Sequence, residues 1–358
     1  MTDAPLLVNA RFLTAPRTGV QRVAHDLLVA ARNLVSFTTV APARPADTGD
    51  LTVDRVIPGP PGRPGGLLWE QLVLPAAARG RTVFSPVNLA PLAGDNVVLV
   101  HDLSPRYNPA WFSRSGRLYG RVAFAAARRA RTVLAVSEFV RGQLADAGVA
   151  ADRLHVVRNA IRDSFAAAGP AEVEDVRRRH GLVRDYVLFV GWADPRKDVA
   201  TAVAASARVD LPHDLVIIGR AHPAFAPVAE PHGPTVRRLG FVSDADLVPL
   251  LTGAAALLYP TRYEGFGLPP LEAAACGTPA LVSDLPVLRE SGGESSVFLP
   301  VGDVAAWAEA IRAALRGELP APRRSTWTWD DAARQLVTAL GGSAAEVLAA
   351  QRNASSPA

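Results

Sequence analysis

Short apolar runs alternate with longer helical stretches along nearly the whole chain, and this alternation narrows the fold more than any other feature. In the first half, strand-like runs fall at Leu6–Val8, Phe37–Val40, Thr82–Phe84, Val97–Val100, Val133–Val136 and Leu154–Val157. In the second half they fall at Tyr186–Val190, Leu215–Ile218, Arg238–Val242, Ala256–Tyr259, Ala280–Val282 and Val297–Leu299. Strands interleaved with helices predict parallel α/β sheets. At 358 residues and 49% hydrophobic content, the chain has material for two such domains, each with its own core. Ala166-Ala167-Ala168-Gly169-Pro170 interrupts the periodicity and Glu172 to His180 reads as a polar helix, so residues 166–182 are expected to link a first domain (1–165) to a second (183–328). Val56 to Gly66 is rich in proline and glycine and reads as a surface loop of the first domain. The alanine-rich end closes with residues 351–358, expected to be a disordered tail.

Two carboxylates bracket a glycine-containing apolar turn in Glu264-Gly265-Phe266-Gly267-Leu268-Pro269-Pro270-Leu271-Glu272. A buried strand precedes the turn. Pro269-Pro270 can open a helix after it and Gly277 can close that helix. The turn therefore joins the carboxyl end of a strand to the amino end of a helix, which is where ligands bind in open α/β sheets. Unpaired N–H groups and the positive dipole end there suit a phosphate, and the glycines let the backbone approach it. An acid favoured by the macrodipole would account for Glu272 alone, but not for Glu264 or for both glycines. A second signal is Lys197, the only lysine in the chain, every other Lys+Arg position being arginine. It follows the apolar run Val187 to Val190 in the turn Gly191-Trp192-Ala193-Asp194-Pro195-Arg196-Lys197. A compact ammonium at a strand end can follow a diphosphate whose charge grows as a bond to it breaks.

The two-glutamate pattern resembles the E-x7-E signature of retaining glycosyltransferases of glycosyltransferase family 4. The resemblance implies the GT-B fold, two Rossmann-like domains whose parallel sheets face an interdomain cleft. It implies that Glu264 sits against the transferred sugar and Glu272 binds the ribose hydroxyls. Gly265, Phe266, Gly267 and Leu268 would offer backbone groups to the diphosphate and sugar, with Val242 also on the donor side. An Arg/Lys pair after the first strand of the second domain would hold the diphosphate. Many relatives carry arginine directly after the glycine, where this chain has Trp192, so Arg196 is expected to be the second cation beside Lys197. The resemblance reaches Trp327-Thr328-Trp329-Asp330-Asp331, where a terminal helix (329–350) is expected to return toward the first domain.

The first half carries similar pieces. Arg17-Thr18-Gly19-Val20-Gln21-Arg22 follows the first strand and opens a helix, so Gly19 is expected at the cleft. The strand Val97 to Val100 ends in His101-Asp102, and in similar enzymes this histidine faces the donor sugar. His101 would position a sugar hydroxyl or a developing charge, while Asp102 would orient it or meet the acceptor. Ser137 and Asn159 are expected first as a helix cap and a loop former.

Other classes of function find less support. The formal charge is +4, without a basic run interleaved with aromatics or a zinc-ligand spacing, so nucleic acid is not an expected partner. Asp244-Ala245-Asp246 has a metal-binding spacing, but Ser243 reads as a helix cap with those acids in its first turn; no metal and no cofactor are expected. Cys276 lies among small apolar residues and reads as a core thiol. No apolar run reaches the roughly 18 residues of a membrane span, and the start lacks a signal peptide, so a cytoplasmic protein is expected. Arginines 106, 114, 117, 121, 128, 129 and 131 could attract anionic lipid at the inner membrane face, although a solvated helix face is the preferred reading. The expected activity is metal-independent transfer of a hexose, from GDP-mannose or a UDP-hexose, to a glycan, glycolipid or small-molecule hydroxyl. The alternatives are a nucleotide-sugar epimerase of the same fold and a non-catalytic nucleotide-binding protein.

Overall fold

A computed structural model describes residues 6–15, 18–45, 48–60, 62–191, 193–220, 223–292 and 296–341. The chain forms two compact units. The first contains residues up to Leu103, Leu118–Ala160 and the chain from Trp327 onward. Its sheet is built from β1 (Leu6–Asn9), β2 (Phe37–Ala41), β3 (Arg55–Val56), β4 (Val83–Ser85), β5 (Asn96–Val100), β6 (Thr132–Ala135) and β7 (Leu154–Val156). These run in the order β3-β2-β1-β4-β5-β6-β7 with every pairing parallel. The second unit, Ser104–Arg117 with Ile161–Thr326, holds β8 (Tyr186–Val190), β9 (Asp214–Ile218), β10 (Val236–Gly240), β11 (Ala256–Tyr259), β12 (Ala280–Ser283) and β13 (Ser296–Leu299). Their order is β10-β9-β8-β11-β12-β13, again all parallel.

The apolar runs form strands because both sheet faces are covered. β5 and β9 are buried at every position, as expected of central parallel strands. In the second unit, Val187, Phe189, Leu215, Ile217, Leu258 and Leu281 share a core with Trp307 and Ile311 of the helix Val304–Leu315. The buried Trp307 indole donates to the Pro300 carbonyl at 3.0 Å, so this bulk enters the core without an orphaned N–H. Both sheets reverse their strand order once, between β1 and β4 and between β8 and β11. Such a reversal opens a crevice outside the carboxyl ends of the two strands.

Several expectations are corrected. Val56 to Gly66 is not wholly a loop, because a helix spans Gly62–Leu68 and continues through a wide π turn, Trp69–Val73, into Leu74–Ala78. Pro64 falls in the first helical turn, where a missing N–H is harmless. The glycines serve close packing: a Cβ on Gly65 would lie 2.0 Å from the Pro60 carbonyl oxygen, and one on Gly59 would lie 2.4 Å from the Trp69 ring. The strand expected at Arg238–Val242 ends at Gly240, which has φ 72° and follows a shift of register. Val242 therefore lies in the loop before the helix Asp244–Thr252.

Residues 104–117, expected in the first domain, group with the second unit. There Ser113 N–H donates to the Ala224 carbonyl at 3.0 Å, and Phe112 and Phe225 rings lie 5.3 Å apart. The helix Trp329–Ala339, capped reciprocally by Thr328 and Asp331, packs against the helix Gly19–Ala31 of the first unit. Residues 342–350 of the expected terminal helix, the tail 351–358, Arg17 and Trp192 lie outside the described residues. Among the described residues, no helix is long and apolar enough to cross a membrane.

Candidate functional site

The reversal between β8 and β11 gathers the charged residues singled out by the sequence. β8 ends at Val190 and turns at Gly191, whose φ of 85° suits glycine and whose N–H donates to the Ile218 carbonyl at 2.9 Å. Asp194 then caps the 3-10 turn Pro195–Lys197 by accepting from Arg196 N–H at 3.0 Å. From the neighbouring strand, β11 ends at Tyr259 and the loop carries Thr261 and Glu264. Lys197 Nζ lies 2.6 Å from Glu264 Oε1, with only 14% and 9% of the two side chains exposed. The ammonium also donates to the Tyr259 hydroxyl and sits 4.2 Å from that ring's centroid. Thr261 Oγ1 is 2.8 Å from Glu264 Oε1.

Arg196 is held differently. Its Nε and one Nη grip Asp194, the closest approach being 2.6 Å, and its guanidinium lies 5.2 Å from the Phe225 ring centroid. A further N–H reaches Ser104 Oγ at 3.4 Å. The geometry fixes the guanidinium plane, but Asp194 offsets much of its charge. Each cation is thus already paired in the fold, Arg196 with Asp194 and Lys197 with Glu264, both at 2.6 Å.

Beyond Glu264, Gly265, Phe266 and Gly267 are buried and lead into the helix Leu268–Ala275. Gly267 caps this helix at φ 98°, and a Cβ there would fall 2.4 Å from Leu288 Cδ2. Ser291 Oγ holds the Phe266 carbonyl at 2.7 Å. Pro269 and Pro270 carry no N–H, so the first turn of this helix offers the Leu268 N–H together with the partial positive charge of its amino end. Leu268 and Glu272 are four residues apart and share a helix face. Both are half-buried.

His101 and Asp102 follow β5 in the first unit. The His101 ring is buried and its Nε2 lies 2.8 Å from the Pro86 carbonyl, which fixes Nε2 as the protonated nitrogen and leaves Nδ1 as the acceptor. Burial lowers its pKa, outweighing the Pro86 hydrogen bond and the Asp102 charge, which raise it. Gly19 opens the helix Gly19–Ala31 and is exposed, with open space where a Cβ would stand. The sequence reading did not single out the reversal between β1 and β4. There Asn9 Nδ2 donates to the wholly buried Glu70 at 2.9 Å, and Arg11 pairs with Glu70 at 2.8 Å. Burial pushes the Glu70 carboxyl up against the opposing pull of Arg11.

Asp244 pairs with Arg162 at 3.2 Å, while Asp246 meets Arg179 at 2.6 Å and His180 at 3.0 Å. Ser243 caps that helix, accepting from Asp246 N–H at 3.3 Å. The aspartates therefore have local cationic partners. Ser137 likewise caps the helix Glu138–Asp146, accepting from Val140 N–H at 3.1 Å.

Tyr259, Thr261 and Asp194 were not read as site residues from sequence. The available signal was position alone: a polar end to an apolar strand, then a hydroxyl three residues before Glu264.

Two Rossmann-like units, with a carboxylate, an ammonium and a helix amino end collected at one strand-order reversal, make this a GT-B fold. The chain belongs to the family Glycosyl transferases group 1, which matches residues 133–317, and Glycosyltransferase Family 4 matches residues 17–165. It is 29% identical over 223 residues to the O-antigen chain mannosyltransferase B of Escherichia coli, covering 59% of this chain and 55% of that protein. Over 199 residues it is 34% identical to the glycogen synthase of Mycobacterium tuberculosis (strain H37Rv), covering 51% and 44%. The matched segments thus span about half the length of these curated relatives. Across whole chains, the fold is similar to that of Anabaena Alr3699/HepE in complex with UDP and glucose (TM-score 0.68, 17% identity, 98% of this chain and 97% of that one). It is also similar to that of WaaG, a glycosyltransferase involved in lipopolysaccharide biosynthesis (TM-score 0.65, 15% identity, 97% and 98%).

Proposed function

We propose that the protein transfers a hexose from a nucleoside-diphosphate sugar to an acceptor hydroxyl, with net retention at the anomeric carbon. The observation that carries this reading is the Lys197–Glu264 pair at 2.6 Å, next to the amino end of Leu268–Ala275 at the β8/β11 reversal. Lys197 and the helix amino end stabilise the departing diphosphate, with Arg196 as a second, Asp194-held cation. Glu264 binds the sugar, Glu272 the ribose, and the backbone of Gly265 to Leu268 the diphosphate and sugar. Val242 lies on the donor side; His101, Asp102 and Gly19 serve the sugar or acceptor.

In the reaction the bond from the anomeric carbon to the diphosphate oxygen breaks. A bond from that carbon to the acceptor oxygen forms, and the acceptor proton passes to the leaving phosphate. These fixed positive groups supply the charge stabilisation without a metal. The relatives named as mannosyltransferases and the neighbour holding UDP and glucose favour GDP-mannose and UDP-hexoses as first donors, and a glycan, glycolipid or sugar-bearing metabolite as acceptor.

A donor panel incubated with and without candidate acceptors, in the presence of a chelator, tests the reading. Nucleoside diphosphate should appear when donor and acceptor are both present, with the anomeric configuration of the product matching the donor by NMR. An altered sugar without acceptor would establish an epimerase instead, and donor binding without chemistry would establish a binding protein.

A further inference from the structure

The carboxylate and ammonium at the β8/β11 reversal are joined by more than their ion pair. Tyr259, 2% exposed at the end of β11, places its hydroxyl and its ring face against Lys197 Nζ. Burial first, and then the neighbouring Glu264 charge and hydrogen bond, push the phenol well above its ordinary range, so the hydroxyl keeps its proton. It can accept from the ammonium while donating to the carboxylate. From the other side, the wholly buried Thr261 has its Oγ1 2.8 Å from Glu264 Oε1 and within 3.0 and 3.1 Å of the Arg196 and Tyr263 carbonyls. The lysine ion pair and the threonine hydrogen bond both reach Oε1.

Lysine is a long, flexible side chain, and its ordering must occur somewhere along the reaction path. Here folding does the ordering. We propose that Tyr259 and Thr261 are positioning residues for transfer, locking Lys197 and Glu264 into one charge-paired unit before the donor arrives. The inference rests on the roles given above to Lys197 and Glu264. Its consequence is that the diphosphate-side cation and the sugar-side carboxylate act together, so removing either hydroxyl misplaces both. A hydroxyl network kept only for stability would make a different prediction: lower stability with turnover intact.

Tyr259→Phe keeps the ring and removes the hydroxyl, Thr261→Val keeps the shape, and Thr261→Ser restores the hydroxyl. With turnover, donor KM and melting temperature measured for each, Tyr259→Phe and Thr261→Val should lose roughly tenfold to a hundredfold in kcat, the scale of a small misplacement of catalytic groups. Donor KM should stay within about threefold, and Thr261→Ser should recover most of the rate. In a Lys197→Ala background, Tyr259→Phe should cost clearly less than it does in the parent, since one of the two groups it positions is gone. Parent kcat in both single variants, with only a lower melting temperature, would overturn the proposal. So would losses that multiply fully in the double variant. A parent protein that transfers from no donor overturns the transferase reading instead, and the positioning role falls with it.

Discussion

Lys197 and Glu264 are 67 positions apart, and each was legible in the sequence for its own reason: one as the sole lysine, the other as the head of a two-glutamate turn. Their partnership was not legible, because it follows from β8 and β11 lying side by side, a fact of strand order that no local spacing encodes. Nor was burial. Only 14% of the Lys197 side chain is accessible, which nothing in the polar turn around it announces. Lys197→Ala should therefore lower kcat roughly a hundredfold to a thousandfold, as for loss of one preorganised donor to a developing anion. It should also lower the melting temperature, because Glu264 keeps its charge without its cation. Parent-rate transfer by the alanine variant would remove Lys197 from the diphosphate clamp.

His101 gives a second test at this scale. Burial holds its imidazole below the ordinary value of about 6.5, so the unfolded chain takes up this proton first as pH falls. The associated stability is fully present above pH ~6.5 and is lost as pH drops through the window beneath it, by at most about 1.4 kcal/mol per pH unit. His101→Gln retains a donor for the Pro86 carbonyl but does not titrate, and urea unfolding from pH 7 to 5 should show a shallower decline. An unchanged slope would refute the assignment.

Among the elements, strands were read more accurately than the segments joining them. Buried parallel strands announce themselves as apolar runs, and the central strands were found nearly to the residue. β10 was read two residues late because Phe241 and Val242 extend its apolar appearance past the register shift at Gly240. β3 is two residues long and exposed, with no apolar signal to find. The helix Gly62–Leu68 was missed because its glycines and proline look like breakers until the close packing of Gly59 and Gly65 is known. Gly267 shows the opposite case, a turn glycine whose need is both conformational and steric. Gly267→Ala should cost about 1–4 kcal/mol, combining a left-handed backbone with pressure on the buried Leu288. Thermal unfolding of the variant measures this directly. A melting temperature equal to the parent's would mean that the loop relaxes at no cost, and the rigid helix entrance inferred here would be wrong.

At the level of the whole molecule, the chain changes unit after Leu103, Arg117, Ala160 and Thr326. A domain map drawn as consecutive blocks cannot express this path. Two of these changes had a sequence signal: the Ala166-to-Pro170 break falls close to the one after Ala160, and Trp327-Thr328-Trp329-Asp330-Asp331 marks the one after Thr326. That helix buries Ala332, Ala333, Leu336 and Val337 and packs against Gly19–Ala31 of the first unit. Ending the chain at Thr326 should therefore destabilise the first unit, although it removes none of its strands. Burial of a leucine or valine side chain contributes about 1.5–3 kcal/mol, so losing two should be visible as an earlier first transition in calorimetry. Unaltered unfolding of the truncated chain would show that the helix is dispensable to that unit.

Cys276 is the chain's only thiol, 1% exposed, with a pKa that burial pushes up to about 11. A thiol that is inaccessible and almost wholly protonated reacts poorly with maleimides at neutral pH. The native protein is therefore a ready background for fluorescent labelling, with no cysteine to remove first. Cysteines placed at exposed Arg129 in the first unit and exposed Val183 in the second would carry a dye pair whose energy transfer reports any movement of one unit against the other when a donor sugar binds.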